Sequence, residues 1–178
     1  MANQEHLDIL KQGVETWNQW RKEHPEIQPD LGEAILNEAD LSEADLSEAN
    51  LKGASLRGVN LRRANVSGAN LSRAVLKEAS LGGSTFLVAD LIEADLTEAD
   101  LSYASFGEAD LSEANLKRAK LNDTNLSGTI LFKADLSGAD LSGARLVRTN
   151  LIKATLTDCR IYGISVWDVQ LRYDPTNR

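Results

Sequence analysis

The most regular feature of the chain is an apolar residue at every fifth position. This register runs from Leu31 to Leu171 without a slip, and 24 of its 29 positions are Leu. A second register lies two residues before each apolar position, where 20 of 28 residues are Ala. The remaining positions are mostly Asp, Asn, Ser, Glu and Gly. Each five-residue unit therefore reads Ala-(Asp/Asn)-Leu-x-x.

A period of five fits neither a straight helix nor a straight strand. On an α-helix, five residues advance about 140° beyond a full turn, so the Leu residues would spiral around the axis. On a strand, an odd period sends successive Leu residues to opposite faces. A bend in every unit keeps Leu and Ala inside and the polar residues outside. The pattern therefore predicts an all-β solenoid of stacked polygonal coils, each paired with the next at about 4.8 Å.

Residues of unusual size indicate how many units make one coil. Phe86 and Phe106 lie 20 residues apart in the Leu register, and Thr129 and Thr149 lie 20 apart in the Ala register. Four units per coil would stack each pair, and such ladders pack well. Gly often occupies the second position after Leu, which suits a type II turn. Glu often occupies the same position, so we expect those corners to use a different turn.

The tandem Ala-(Asp/Asn)-Leu-x-x pattern over residues 31–171 resembles the pentapeptide-repeat family. The resemblance implies a right-handed quadrilateral β-helix of about seven coils. It divides the chain into an N-terminal capping helix and linker (1–30), the β-helix (31–171) and a C-terminal tail (172–178). The pattern weakens after Thr155, so we expect the last coil to be wider or irregular.

The segment before the solenoid has helical periodicity. Its apolar residues recur at spacings of three and four: Leu7, Leu10, Val14 and Trp17. This spacing predicts one amphipathic helix over residues 3–22, with Asn3 as its N-cap. An open coil exposes unpaired backbone edges. The helix is therefore interpreted as a lid over the first coil, and a docking helix for a partner is the alternative.

The C-terminal end is more apolar than the earlier coils, and the tail offers it little cover. The residues that suggest a contact surface are Ile164, Val166 and Trp167. One interpretation is a local cap formed by Trp167 and Tyr173. The other is an end-to-end homodimer. The resemblance favours the dimer, because some relatives dimerise through this end.

The sequence offers little to support catalysis. His6 and His24 lie outside the repeats, so no Ser-His-Asp or Cys-His arrangement can form on the rod. Cys159 is the only cysteine and occupies the small-residue register. The carboxylates follow the repeat, and their spacing selects no metal. We therefore expect a non-enzymatic protein that carries no cofactor and no metal.

Composition narrows the location and the partners. The formal net charge is −8, which disfavours direct nucleic-acid binding and anionic membranes. No apolar run approaches the roughly 20 residues of a membrane helix, and the N-terminus shows no signal-peptide pattern. We therefore expect a cytoplasmic protein whose partner is another protein.

Charges are banded along the chain. Residues 23–51 hold nine acids and no base, residues 52–77 hold six bases and no acid, and residues 78–116 hold nine acids and no base. Some members of the resembled family protect DNA gyrase by presenting an acidic rod shaped like duplex DNA. The surface that would serve as such a mimic is Asp90, Glu93, Asp95, Glu98, Asp100, Glu108, Asp110 and Glu113. A duplex is continuously negative, so the basic band argues against this alternative.

The leading hypothesis is a protein-interaction or scaffold module. Stacking at a 20-residue interval gathers outward apolar residues along one edge: Leu87, Val88, Ile92, Ile130, Phe132, Val147 and Ile152. A contiguous apolar patch often marks an interface. The alternative is that Asp110 and Ser112 divide these residues into two harmless islands. The DNA mimic that binds a type II topoisomerase such as gyrase remains the alternative function.

Overall fold

The computed structural model describes residues 1–171, which form two short helices followed by a solenoid. The helices are α1 (Gln4–Leu10) and α2 (Val14–Glu23), and two short strands follow, β1 (Arg145–Val147) and β2 (Ser165–Trp167). The two strands pair in parallel. Elsewhere in the described solenoid, neighbouring coils are joined by single bridges at the middle of each side.

The bridges give the circuit length of the solenoid. Each of them joins a residue to the one 20 positions later, from Asp30 with Asn50 to Asn150 with Gln170. One circuit therefore takes four five-residue units, and the chain forms a β-helix. The same register continues through Gln170, so the predicted irregularity after Thr155 is wrong for the backbone pairing.

The interior is built from ladders of like residues. The Leu and Ala registers are buried through most of the solenoid. The rings of Phe86 and Phe106 stack with centroids 4.6 Å apart and planes 2° from parallel. Thr129 and Thr149 are fully buried, and their hydroxyls donate to the carbonyls of Phe106 and Leu126 at 2.7 and 2.8 Å. The predicted stacking of like residues 20 positions apart is confirmed.

The corners share one backbone conformation whatever residue occupies them. The φ angle is +63° at both Glu43 and Gly53, and the other corner residues are also in the left-handed region. Most corners close with a hydrogen bond such as that from Ala44 N–H to Leu41 O at 3.1 Å. A positive φ at the third residue is the signature of a type II turn. The prediction that Glu corners use a different turn is therefore wrong.

The N-terminal segment forms two helices rather than the single helix predicted over residues 3–22. Gly13 separates them with a φ of +112°, a conformation that L-residues with side chains rarely adopt. The predicted N-cap is confirmed, because Asn3 Oδ1 accepts from Glu5 N–H at 2.9 Å. The break at Gly13 folds α2 back against α1.

Side chains of the helices pair with backbone groups of the first coil. Asn18 Nδ2 donates to Glu43 O at 3.0 Å, and Asn18 Oδ1 accepts from Asp45 N–H at 2.8 Å. The Asn18 Oδ1 atom thus takes the place of the carbonyl that a preceding coil would offer, as Ala44 O does for Asn65 N–H. Trp17 is fully buried, and its Nε1–H donates to Asp45 O at 2.8 Å. Arg21 donates to Ser47 O at 3.1 Å.

Candidate interaction surfaces

The 20-residue circuit fixes which residues share a side of the rod. Residues 20 apart stack, and residues 10 apart lie half a circuit away on the opposite side. We call the predicted partner residues the apolar edge: Leu87, Val88, Ile92, Ile130, Phe132, Val147 and Ile152. Leu87, Val88 and Ile130 are exposed, and the other four are half-buried. All seven lie along one side and its two bordering corners.

The apolar edge consists of an N-terminal and a C-terminal group. Gly107, Asp110 and Ser112 lie in the coil between the groups. Leu87 leans over Gly107, since a Cβ built on that glycine would lie 3.1 Å from Leu87 Cδ2. A shallow depression of about 360 Å³ lies there, lined by Leu87, Val88, Gly107, Glu108, Ser127 and Arg148. The interruption is therefore partly bridged by an apolar side chain.

Phe132 is the largest side chain of the C-terminal group. Lys133 Nζ lies 5.3 Å from the centroid of its ring, and Lys153 Nζ lies 5.9 Å from it. Both distances suit a cation–π contact. Lys133 Nζ also lies 2.7 Å from Glu113 Oε1. Two lysine ammonium groups therefore border the Phe132 ring.

The C-terminal end of the solenoid is open within the described residues. The four apolar-register residues of the last coil are 39–66% exposed: Leu156, Ile161, Val166 and Leu171. Behind them is a wholly apolar cavity of about 220 Å³, which Ile164 and Val169 also line. Trp167 is exposed and Ile164 half-buried. The alternative is a local cap formed by Trp167 and Tyr173, of which Tyr173 lies outside the described residues.

The acidic residues of the suggested mimic surface are largely paired with cations. Glu93 pairs with Arg73 at 3.0 Å, Asp95 with Lys77 at 3.1 Å and Glu113 with Lys133 at 2.7 Å. Glu98 pairs with Arg118, and Asp100 lies 3.9 Å from Arg62. Five of the eight acids therefore face a base within the described residues. The charge bands place opposite charges in nearby coils, where they attract.

Hydrogen bonds hold several carboxylates in their charged form. Asp40 Oδ1 accepts from Ser42 Oγ at 2.7 Å and from Ser42 N–H at 3.1 Å, which lowers the pKa of Asp40. Hydrogen bonds from Arg73, together with its charge, lower the pKa of Glu93. The arrangement at Asp40, in which an Asp oxygen accepts from the backbone N–H two residues later, recurs along the solenoid. For example, Asp140 accepts from Ser142 N–H at 3.0 Å.

The solenoid is expected to lose stability as the pH falls through the acidic range. A carboxyl whose pKa is lower in the folded than in the unfolded state stabilises the fold above its unfolded pKa. That stability is lost as the pH falls through the folded pKa. The ordinary values for Asp40 and Glu93 are 3.8 and 4.5, so the loss begins near the upper value. Urea midpoints measured from about pH 6 to about pH 2 should fall, and less steeply in Glu93→Gln. A midpoint that rises on acidification contradicts the prediction.

The residues considered for chemistry have structural contacts. Cys159 is half-buried, its Sγ donates to Leu136 O at 2.9 Å, and burial raises the pKa of the thiol. His6 is buried, and its Nδ1 accepts from Asp30 N–H at 2.9 Å. Over residues 1–171, no cluster of three or more His, Cys, Asp or Glu side chains could hold a metal ion. No helix in that range is long and apolar enough to cross a membrane.

The sequence interpretation missed a polar cleft on the side of the rod away from the apolar edge. Its floor is Gly82 and Gly83, and its walls include Arg62, Arg63 and Tyr103. The signal was present as two successive outward glycines 20 residues after two successive arginines. The 20-residue interval that gathers the apolar edge also places these two pairs in adjacent coils, so the cleft could have been found from the sequence.

Solved structures similar to this chain include several pentapeptide-repeat proteins. QnrB1, a plasmid-mediated fluoroquinolone resistance protein, is 25% identical, with 78% of this chain and 79% of that one covered at a TM-score of 0.44. HetL, from the cyanobacterium Nostoc, is involved in regulating heterocyst differentiation and is 29% identical. The match covers 76% of this chain and 82% of HetL, with a TM-score of 0.31. A protein of the Arabidopsis thaliana thylakoid lumen is 30% identical. The match covers 57% of this chain and 64% of that protein, with a TM-score of 0.41.

No curated protein sequence matches this chain. The sequence profile described as pentapeptide repeats matches it in eight copies, over residues 30–63, 54–86, 89–128 and 129–167. These matches span most of the chain and coincide with the part that forms the β-helix. The chain therefore belongs to the pentapeptide-repeat family.

Proposed function

We propose that this protein is a non-enzymatic interaction module whose apolar edge contacts a protein partner. The observation that carries the proposal is a line of outward apolar residues on a rod whose other outward positions are mostly polar. Leu87, Val88 and Ile130 remain exposed in the folded chain. Exposed apolar side chains that cluster are costly in water, and their burial favours association.

The C-terminal group of the apolar edge is the best-defined part of this surface. Phe132, Ile130 and Ile152 lie on neighbouring positions of two adjacent coils, so a partner could cover all three at once. Aromatic side chains dominate the energetics of many interfaces. Lys153 beside the ring offers a cation to a carboxylate on the rim of the partner. We therefore place the centre of the contact at Phe132.

The double variant Phe132→Asp/Ile152→Asp is expected to lose its protein partner and keep the fold. Two carboxylates placed in an apolar contact would each have to be desolvated on binding, so affinity should fall by about 100-fold or more. Quantitative affinity capture from the native host with the intact protein measures the loss. Circular dichroism and size-exclusion chromatography verify that the variant is folded.

The matched control for this experiment is Ser142→Asp/Tyr162→Asp. These positions lie ten residues beyond Phe132 and Ile152, so the control adds the same charge on the opposite side of the rod. It should capture the partner as the unchanged protein does. If the edge variant captures the same proteins in the same amounts, the apolar edge is not the binding surface.

We propose further that the β-helix has about seven coils and that α1 and α2 close its first coil. The contacts of Trp17, Asn18 and Arg21 with backbone groups of that coil support this role. An uncovered edge would leave such groups free to pair with another chain. The lid interpretation is thereby favoured over a docking helix, whose anchoring residues would have to be exposed.

At the opposite end we propose that a second copy of the chain covers the apolar surface at Ile164, Val166 and Trp167. The support is the wholly apolar cavity that opens there. The acidic DNA mimic is the weaker alternative function, because five of its eight acidic residues are paired with cations. Of the eight acidic residues, Asp90, Glu108 and Asp110 have no such pair within residues 1–171.

A further inference from the structure

The polar cleft is a wide, open depression on the side of the rod. It has a volume of about 670 Å³ and is lined by Ser42, Glu43, Asn60, Arg62, Arg63, Gly82, Gly83, Asp100, Ser102, Tyr103 and Asn122. Gly82 lies ten residues before Ile92, so the cleft occupies the side of the rod opposite the apolar edge. The two surfaces cannot contact the same small segment of a partner.

Packing does not require the glycine at position 82. A Cβ there would lie 3.5 Å from Ser102 O and 4.0 Å from Arg62 Nε, which are ordinary contacts, and its φ is not in the left-handed region. By contrast, a Cβ on Gly107 would meet Leu87 at 3.1 Å. Glycine costs conformational entropy in ordered structure, and nothing local compensates for it here. What Gly82 does provide is an open floor beneath the arginines.

The two arginines that line the cleft have free donors. Within residues 1–171, neither the Arg62 nor the Arg63 guanidinium donates a hydrogen bond. Their nearest carboxylates are Asp100 at 3.9 Å and Glu43 at 3.8 Å, beyond hydrogen-bond distance. Arg73, in the same basic band, instead binds Glu93 through two nitrogens at 3.0 and 3.2 Å. Guanidinium groups bind carboxylates in that two-pronged manner, so the cleft suits one more carboxylate.

The charges above and below the cleft limit what can carry that carboxylate. Arg62 and Arg63 lie in the basic band 52–77, and most of the other lining residues lie in the acidic bands 23–51 and 78–116 on either side. A polyanion such as nucleic acid would meet acidic surface on both sides. The carboxylates of Glu43 and Asp100 lie within 4 Å of the arginines, but their backbones lie one and two coils away. That separation is about 5–10 Å, which an extended peptide covers in two or three residues. A complementary segment therefore carries an acidic residue with basic residues two or three positions to either side.

We propose that the cleft binds an extended segment of a partner protein with this basic–acidic–basic pattern. The acidic side chain contacts Arg62 and Arg63 above the glycine floor, and the basic side chains contact Glu43 and Asp100. The proposal rests on the interaction-module function, but it concerns a separate surface. Loss of the cleft interaction leaves the contact at Phe132 intact.

The test uses the intact protein and a heptapeptide with a central Glu, flanked on each side by one Ala and then two Lys. Backbone amide shifts recorded during a titration report both the location and the strength of binding. We expect the shifts to concentrate at Arg62, Arg63, Gly82 and Gly83. Replacing the central Glu of the peptide with Gln should weaken binding about tenfold, because it removes charge-assisted hydrogen bonds. Equal binding of the two peptides overturns the proposal.

Two variants and a matched control separate the cleft from general electrostatic attraction. Gly82→Leu, which fills the cleft, and Arg62→Gln/Arg63→Gln should each weaken binding of the Glu peptide about tenfold. The control Lys52→Gln/Arg57→Gln removes two charges from the same basic band outside the cleft and should change binding less than twofold. If the control variant binds the Glu peptide as weakly as the arginine variant does, the proposal is contradicted. If Gly82→Leu misfolds, the proposal is tested by comparing the peptide affinity of Arg62→Gln/Arg63→Gln with that of its control.

A further comparison distinguishes failure of the cleft from failure of the interaction module. The apolar-edge variant Phe132→Asp/Ile152→Asp should bind the peptide as the unchanged protein does, because its substitutions lie on the opposite side. Absence of peptide binding in a protein that still captures its partner through Phe132 refutes the cleft alone. Peptide binding in a protein whose captured partner does not depend on Phe132 refutes the apolar edge alone.

Discussion

Replacing Trp17 with Ala is expected to lower the free energy of unfolding by about 3–5 kcal/mol, as for other large buried aromatic residues. Trp17 is fully buried between α2 and the first coil. Its Nε1–H is the partner of the Asp45 carbonyl at 2.8 Å, so truncation also leaves that acceptor unpaired. Urea denaturation of the two proteins measures the difference.

The loss of structure caused by Trp17→Ala should begin at the first coil. In a solenoid each coil contacts only its neighbours, so damage to one end frays the adjacent coils first. Amide hydrogen exchange should accelerate first between Leu31 and Asn50, while the amides around Ala134 keep their protection. The matched control is Tyr162→Ala in the last coil, where the tyrosine is 83% exposed and lies outside the proposed contact with a second copy. Equal effects of the two truncations, or uniform loss of protection, would refute a lid at the first coil.

The interior of the rod could be predicted from sequence because it repeats. One pair of outsized residues, Phe86 and Phe106, was sufficient to indicate the circuit length, since each ladder position recurs at the same place in every coil. The register continued to hold where the small-residue pattern weakened at Cys159, Ile164 and Val169. Backbone pairing depends on the five-residue bend and the stacking of coils, which these side chains leave unchanged.

The parts that could not be predicted depend on single local events. The helical spacing of Leu10, Val14 and Trp17 continues across Gly13, so periodicity alone hides the break that its φ of +112° introduces. Glu43 occupies a left-handed corner because the stacked hydrogen bonds impose that conformation, overriding an intrinsic preference of about 1 kcal/mol. The intrinsic preference of Glu suggested another turn type, but the hydrogen bonds between stacked coils determine the conformation of this corner.

The 20-residue stacking changes how the charge bands are interpreted. Read along the sequence, the acids of residues 78–116 resemble a continuous anionic surface. Read along the columns, Arg73 faces Glu93 and Lys133 faces Glu113, so much of that charge is neutralised by nearby coils. The same stacking sets Arg62 above Gly82, where no side chain fills the space beneath the guanidinium. Function on this rod is therefore to be sought in departures from the repeat.

Substituting Val166 with Asp is expected to convert a dimer into a monomer. In the proposed assembly, Val166 lies in the apolar surface that two copies share, and an isologous contact would bring the two introduced carboxylates near each other. Each would lose water without a cationic partner among the described residues that line the cavity, all of which are apolar. Light scattering coupled to size exclusion should report a mass falling from twice 19.4 kDa to 19.4 kDa.

The appropriate control is Ile35→Asp, because Ile35 is a 76% exposed aliphatic residue near the other end of the rod. It introduces the same charge and should leave the dimer mass unchanged. Dilution gives an independent check, since a dimer held by apolar burial dissociates as the protein concentration falls below its dissociation constant. If the unchanged protein already has the mass of one chain at the highest concentration measured, a second copy does not cover this end.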